Sequence, residues 1–229
     1  MRSVEAVIFD LDGLLIDSEP LWREGESRIF QGLGMPVEPE DIRATMGMRL
    51  DESVAYWYGR CPWSGGLSNA AVMTLIEDEM VRLIGSRGEA LPGARAAIAL
   101  ARDLGLKTAI ASSSTIPVVE AAVARLDIRD LVPVVRSAAG ELYGKPHPAV
   151  YLTTAGLLAV HPTACLAFED SIAGTIAAKA ARMTCIAVPD EQTRPRPEFG
   201  VADRVLRSLT EVDARFYRQF MAGGSSADR

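Results

Sequence analysis

Two aspartates with one residue between them, Asp10 and Asp12, close an apolar run from Ala6 to Phe9 and are followed at once by Gly13. The run is short and partly β-branched, which predicts a buried strand. Side chains alternate along an extended chain, so Asp10 and Asp12 face one way and Leu11 faces back into protein. Two like charges held together are costly unless a cation or a shared proton relieves them. Gly13 permits a turn that other residues resist. The pair is therefore placed to hold a hard cation and do carboxylate chemistry, or else it simply punctuates a strand end, a common use of Asp.

Two other polar groups end predicted strands in the same manner, and a third follows the third strand, Val132–Val135, in a loop. Ser112-Ser113-Ser114 follows the apolar run Lys107–Ala111. A hydroxyl and free amides at a strand-to-helix turn can hold phosphoryl oxygens, although serines there also serve as plain helix caps. Lys145 stands in Gly144-Lys145-Pro146-His147-Pro148, where two prolines brace the backbone. A lysine is ordinarily a solvated surface group, and this bracing suits it to act as a positioned point charge. Glu169-Asp170-Ser171 ends the run Ala164–Phe168. This second acidic pair completes an oxygen-rich cage suited to magnesium, a role compatible with helix capping by Asp170 or Ser171.

The elements that must position these groups alternate regularly in the second part of the chain. Strands are predicted over Lys107–Ala111, Val132–Val135, Ala164–Phe168 and Thr184–Val188, with a short edge at Arg204–Leu206. Helices are predicted from Leu91-Pro92-Gly93 to Leu104, and over Ile116–Leu126, Pro148–Leu158, Ile172–Ala181 and Leu209–Phe220. Such alternation implies a parallel, doubly wound α/β sheet, whose ligands bind beyond the carboxyl ends of its strands. Between Glu19 and Gly88 no strand is legible. Ser18 is read as an N-cap, Trp22, Ile29, Phe30 and Leu33 recur at helical spacing, and further helices are expected over Glu40–Thr45, Leu50–Tyr58 and Ser68–Ile84. The expected division is a Rossmann-like core of residues 1–18 and 89–222, a helical cap of residues 19–88 inserted after the first strand, and a flexible Gly-Ser tail at 223–229.

The 229 residues are 48% apolar and 24% charged, an ordinary globular composition, and the net charge of −6 disfavours nucleic acid and anionic membranes as partners. A phosphate substrate must then be attracted locally, by a cation and a few basic side chains. The three cysteines form no metal-like cluster, and Cys165 and Cys185 read as core residues. With no signal-like stretch before Val4 and no membrane-length apolar run, the expectation is a cytoplasmic monomer.

Asp10-Leu-Asp12-Gly13-Leu-Leu-Ile-Asp17-Ser18 resembles the first motif of the haloacid dehalogenase superfamily of phosphohydrolases, D-x-D-G-x-x-x-D-S. Ser112 resembles its second motif, Lys145 its third and Glu169-Asp170 its fourth, in the superfamily's order. The resemblance spans Val4 to Leu209. The cap position and Asp170-Ser171-Ile-Ala-Gly174 resemble the branch containing β-phosphoglucomutase and small sugar-phosphate phosphatases. Within it, Gly13-Leu-Leu-Ile-Asp17-Ser18-Glu19-Pro20-Leu21-Trp22, Trp57-Tyr58, Pro62-Trp63 and Ala180-Ala-Arg182-Met183 look most like bacterial 2-deoxyglucose-6-phosphate (hexitol phosphate) phosphatases.

The resemblance implies phosphoryl transfer through an aspartyl-phosphate. By it, Asp10 is the nucleophile, Asp12 the general acid and base, and Ser112 and Lys145 hold the transferring oxygens. It implies Mg2+ held by Asp10, the backbone carbonyl of Asp12, Asp170 and Glu169, the last directly or through water, and a small phosphorylated sugar as substrate. Gly47-Met48-Arg49 matches the position from which relatives contact the substrate's far end, so Arg49 is either its reader or a plain surface arginine. Gly47, Ser113, Glu19 and Trp22 complete the expected substrate contacts, Trp63 is read as cap packing, and His147 and His161 as turn and loop residues. In β-phosphoglucomutase the position of Trp22 is a histidine, which favours hydrolysis over mutase chemistry here. A phosphomutase on the same fold and a non-catalytic sugar-phosphate sensor are the competing readings.

Overall fold

All four residues of the first strand, β1 (Ala6–Phe9), are buried, as a strand covered on both faces requires. The computed structural model describes residues 3–63 and 66–221, so the expected tail at 223–229 lies outside the described residues. The other strands are β2 (Lys107–Ser112), β3 (Val134–Ser137), β4 (Cys165–Glu169), β5 (Thr184–Ala187) and β6 (Arg204–Val205). They form one sheet in the order β3-β2-β1-β4-β5-β6, with every neighbouring pair parallel. The order reverses between β1 and β4, which puts a crevice at the carboxyl ends of those two strands.

Alternation along β1 divides its side chains between two cores. Val7 and Phe9 belong to the larger cluster, with residues of α4 (Ala94–Asp103), α5 (Ile116–Arg125) and α8 (Ala214–Met221). Ala6 and Ile8 belong to the other, with α6 (Ala149–Leu157) and α7 (Ile172–Ala180). Phe9 stacks on Phe168 of β4 with ring centroids 5.2 Å apart, and Phe216 and Tyr217 of α8 close over Phe168. These aromatic contacts hold the two strands bordering the crevice in fixed register.

Three helices occupy the stretch after β1: α1 (Glu19–Gly32), α2 (Leu50–Arg60) and α3 (Asn69–Arg87), with a 3-10 turn at Asp41–Thr45. Phe30, Trp57 and Trp63 meet in their shared interior, and the Trp63 indole donates to the Leu67 carbonyl at 2.9 Å. The two segments joining these helices to the sheet run side by side: the Asp17 amide donates to the Glu89 carbonyl and the Leu91 amide to the Leu15 carbonyl. None of the described helices is long and apolar enough to cross a membrane.

Three local expectations change. The third strand begins at Val134, not Val132, because Pro133 has no amide to give to a ladder. The last helix breaks into a 3-10 turn at Leu209–Glu211, boxed by Ser208 and Glu211, and α8, whose Phe216 amide is capped by Asp213. Ser18 makes no capping bond to α1, because its hydroxyl is turned toward Asp12.

Candidate active site

The parallel sheet delivers Asp10 and Asp12 from the end of β1, the three serines from β2, and Glu169 and Asp170 from β4, while Lys145 arrives on the loop before α6. The Lys145 ammonium is buried and donates to Asp10 Oδ1 at 2.6 Å, Glu169 Oε1 at 2.6 Å and the Ala111 carbonyl at 3.1 Å. Burial works against its charge, but Asp10 and Glu169 outweigh that and push its pKa up. The Tyr151 hydroxyl also donates to Glu169 Oε1, and the Ser171 hydroxyl to Oε2 at 3.2 Å. Glu169 fits beneath α7 only because residue 174 is glycine, where a Cβ would lie 1.9 Å from Glu169 Oε1.

Asp12 is held from both sides. The Ser18 hydroxyl at 2.6 Å and the Trp22 indole at 3.0 Å donate to Oδ1. The Ser114 hydroxyl at 2.7 Å and the Ser112 hydroxyl at 3.3 Å donate to Oδ2. Gly13 turns the chain behind the pair with φ +73°, and a Cβ there would sit 2.3 Å from Asp170 Oδ2. Asp170 is thus pressed against the turn that follows β1.

Carboxylate oxygens of Asp10, Glu169 and Asp170 lie within 4.8 Å of one another. Burial raises the Asp10 pKa to about 7, with Lys145 opposing and Glu169 and Asp12 adding to the rise. Burial, then the charges of Asp10 and Glu169, pushes Asp170 well above the usual carboxylate range. Hard oxygen donors short of positive charge are what a divalent cation such as magnesium requires.

Asp10, Asp12, Lys145 and Asp170 open into one cavity, with Ser113 and Ser114 on the same wall. Glu169 and Ser112 do not line it: both are fully buried behind it, Glu169 with its oxygens engaged by Lys145, Tyr151 and Ser171. Across from these groups the inserted helices contribute Glu19, Trp22, Arg23, Glu26 and Arg43, with Gly47 and Met48 beside them. Of the expected substrate contacts, Glu19, Trp22, Gly47 and Ser113 line the cavity.

Arg49 does not. Its guanidinium donates to the Glu141 carbonyl at 2.9 Å and the Ala138 carbonyl at 3.3 Å, and pairs with Asp51 at 2.7 Å. The guanidinium joins the inserted helices to the sheet's loops and is turned away from the cavity that it was expected to face. Arg23 and Glu26 line the cavity without a motif to announce them, although Glu19, Trp22, Arg23 and Glu26 recur at intervals that place them on one helical face. Ser114 was passed over behind Ser112, and Tyr151 carries no local signal.

Residues 4–182 match the haloacid dehalogenase-like hydrolases. The chain belongs to that family. It is 41% identical over 215 residues to hexitol phosphatase B of Escherichia coli (strain K12), covering 93% of this chain and 96% of that one. Its fold superposes on a crystal structure of CbbY from Rhodobacter sphaeroides in complex with phosphate, with a TM-score of 0.83 and 30% identity, over 91% of this chain and 96% of that one. β-Phosphoglucomutase from Clostridium difficile shares the fold, with a TM-score of 0.81 at 21% identity over 96% and 97% of the two chains. Like its named relatives within the haloacid dehalogenase-like hydrolases, the chain is an enzyme of the phosphatase kind.

Proposed function

We propose that this enzyme hydrolyses small sugar phosphates, hexose or hexitol phosphates such as 2-deoxyglucose 6-phosphate, through an aspartyl-phosphate, an acyl phosphate on Asp10. The observation that carries the reading is the pairing at the end of β1. Asp10 faces the cavity with Lys145 on one oxygen, and Asp12 faces the same cavity with two donors on each oxygen. Asp10 attacks phosphorus and expels the sugar oxygen, which takes a proton from Asp12. Asp12 then takes a proton from water, the water oxygen attacks phosphorus, and phosphate leaves with the Asp10 carboxylate restored. Lys145 steadies Asp10 against the negative charge of the incoming phosphate.

The acidic cluster fits magnesium, which Asp10, Asp170 and the backbone carbonyl of Asp12 would hold, with Glu169 steadying Lys145 from behind. Bound there, magnesium supplies positive charge to phosphoryl oxygens. Residues 19–88 are assigned as a cap that closes over the carboxyl ends of the strands and excludes water. The sugar assignment draws on the likeness to hexitol phosphatase B.

Trp22 favours hydrolysis over phosphomutase chemistry. Its indole donates to Asp12 and has no acceptor nitrogen with which to link a second group. The test is phosphate release from hexitol and hexose 6-phosphates, beside β-glucose 1-phosphate supplied with a trace of glucose 1,6-bisphosphate. Phosphate release without isomerisation is expected. Rapid formation of glucose 6-phosphate with little free phosphate would overturn the reading.

A further inference from the structure

The wall formed by the inserted helices holds a carboxylate that the chemistry above does not use. Glu26 lies on α1 and is 4% exposed, yet it borders the cavity. Its Oε1 accepts a hydrogen bond from the Ser53 hydroxyl of α2 at 3.2 Å, and its Oε2 has no hydrogen-bond partner among the described residues. The cavity that it borders is lined also by apolar Ile42, Met48 and Leu50. A carboxylate in such surroundings needs more than one donor to offset its lost hydration, and packing α1 against α2 requires no charge there. Arg23, one turn earlier on α1, borders the same cavity and makes no ion pair or hydrogen bond among the described residues.

We propose that Glu26 is a specificity residue: its Oε2 accepts a hydrogen bond from a hydroxyl of the leaving group, which Ser53 orients it to receive. The substrate is accordingly a monophosphate whose leaving alcohol carries at least one further hydroxyl group. This assignment rests on the sugar-phosphate reading of the site and names the group that reads the sugar. A hydroxyl both donates and accepts, so Arg23 can donate to the oxygen whose proton Glu26 takes up in its hydrogen bond. An aryl phosphate offers neither contact.

The experiment measures kcat/KM for sorbitol 6-phosphate and p-nitrophenyl phosphate, using the full chain and its Glu26→Leu and Glu26→Gln variants with magnesium present. Leucine should lower kcat/KM for the hexitol phosphate by ~10- to 100-fold more than for the aryl ester. Glutamine, which keeps the shape and the Ser53 contact, should give a smaller split in the same direction and carries the test if the leucine variant unfolds. A series of monodeoxy hexitol phosphates should contain one member that the wild type and Glu26→Leu hydrolyse with the same relative efficiency as the aryl ester. Equal losses on both substrates, or no loss on either, would overturn the assignment and leave Glu26 a link between α1 and α2. If the wild type turns over the aryl ester but no hexose or hexitol phosphate, the sugar reading fails and this assignment fails with it. If the wild type favours hexitol phosphates and the variants keep that preference, this assignment alone fails.

Discussion

The two walls of the cavity are built differently. On the sheet side, Lys145 alone holds three acceptors, Asp10, Glu169 and the Ala111 carbonyl, at 2.6–3.1 Å, and Asp12 is held separately by Ser18, Trp22, Ser112 and Ser114 at 2.6–3.3 Å. On the helical side, Glu26 has one hydrogen bond and Arg23 none among the described residues. The sheet side is oriented before anything binds, which is what stabilising a developing charge demands. The helical side keeps unspent donors and acceptors, so a ligand can complete them. In the proposed reading, chemistry falls to the rigid element and discrimination to the inserted one.

The largest effect should come from removing the divalent metal. Exhaustive chelation is expected to abolish phosphate release and added magnesium to restore it, with Asp170→Ala shifting the magnesium concentration needed upward. Full turnover after chelation would separate metal binding at the acidic cluster from catalysis. Next, Asp10→Asn should lower kcat by ~1,000-fold or more with little change in thermal midpoint, since the amide is a poor nucleophile of the same shape. Wild-type kcat in that variant would break the assignment of chemistry to the β1 end.

Glu26 tests the other wall through stability. Burial lifts its pKa to about 7 from an ordinary 4.5, with only the Ser53 hydroxyl opposing the rise. The folded state therefore holds a proton that the unfolded chain has already released, so ionising Glu26 costs stability as pH rises from about 4.5 to about 7 and by a constant amount above that. Glu26→Gln should be more stable than the wild type above pH 7, by an upper limit of about 3 kcal/mol, and should match it near pH 4. Urea unfolding at both values checks this; a gain independent of pH would deny Glu26 its desolvated charge. The smallest effect belongs to Arg49→Ala. Because Arg49 bonds the Ala138 and Glu141 carbonyls, the loss should be modest, ~3- to 10-fold, and equal for sugar phosphates and p-nitrophenyl phosphate. A loss confined to sugar phosphates would return Arg49 to substrate recognition.

What the sequence by itself determined is the sheet and the groups at its strand ends. Period-two alternation dictates that Asp10 and Asp12 share a direction, and parallel winding dictates that the ends of β1, β2 and β4 converge. Asp10, Asp12 and Asp170 accordingly meet at one cavity, which Lys145 enters from the loop before α6. Strand ends are legible because backbone geometry alone aims them. Side-chain engagement was not legible in the same way. Glu169 and Asp170 are adjacent in sequence, yet one is sealed behind Lys145 and the other faces the cavity, a choice made by Tyr151 and Gly174. Ser18 reads as a helix cap and instead serves Asp12. Arg49 reads as facing the substrate and instead grips the loops beyond β3, while Glu26 and Arg23 take the cavity wall. The first of these outcomes depends on how α6 and α7 pack on the sheet, and the others on how α1 and α2 rotate and dock against it. Helical periodicity defines a face but not what it will meet, so only the tertiary structure could decide them.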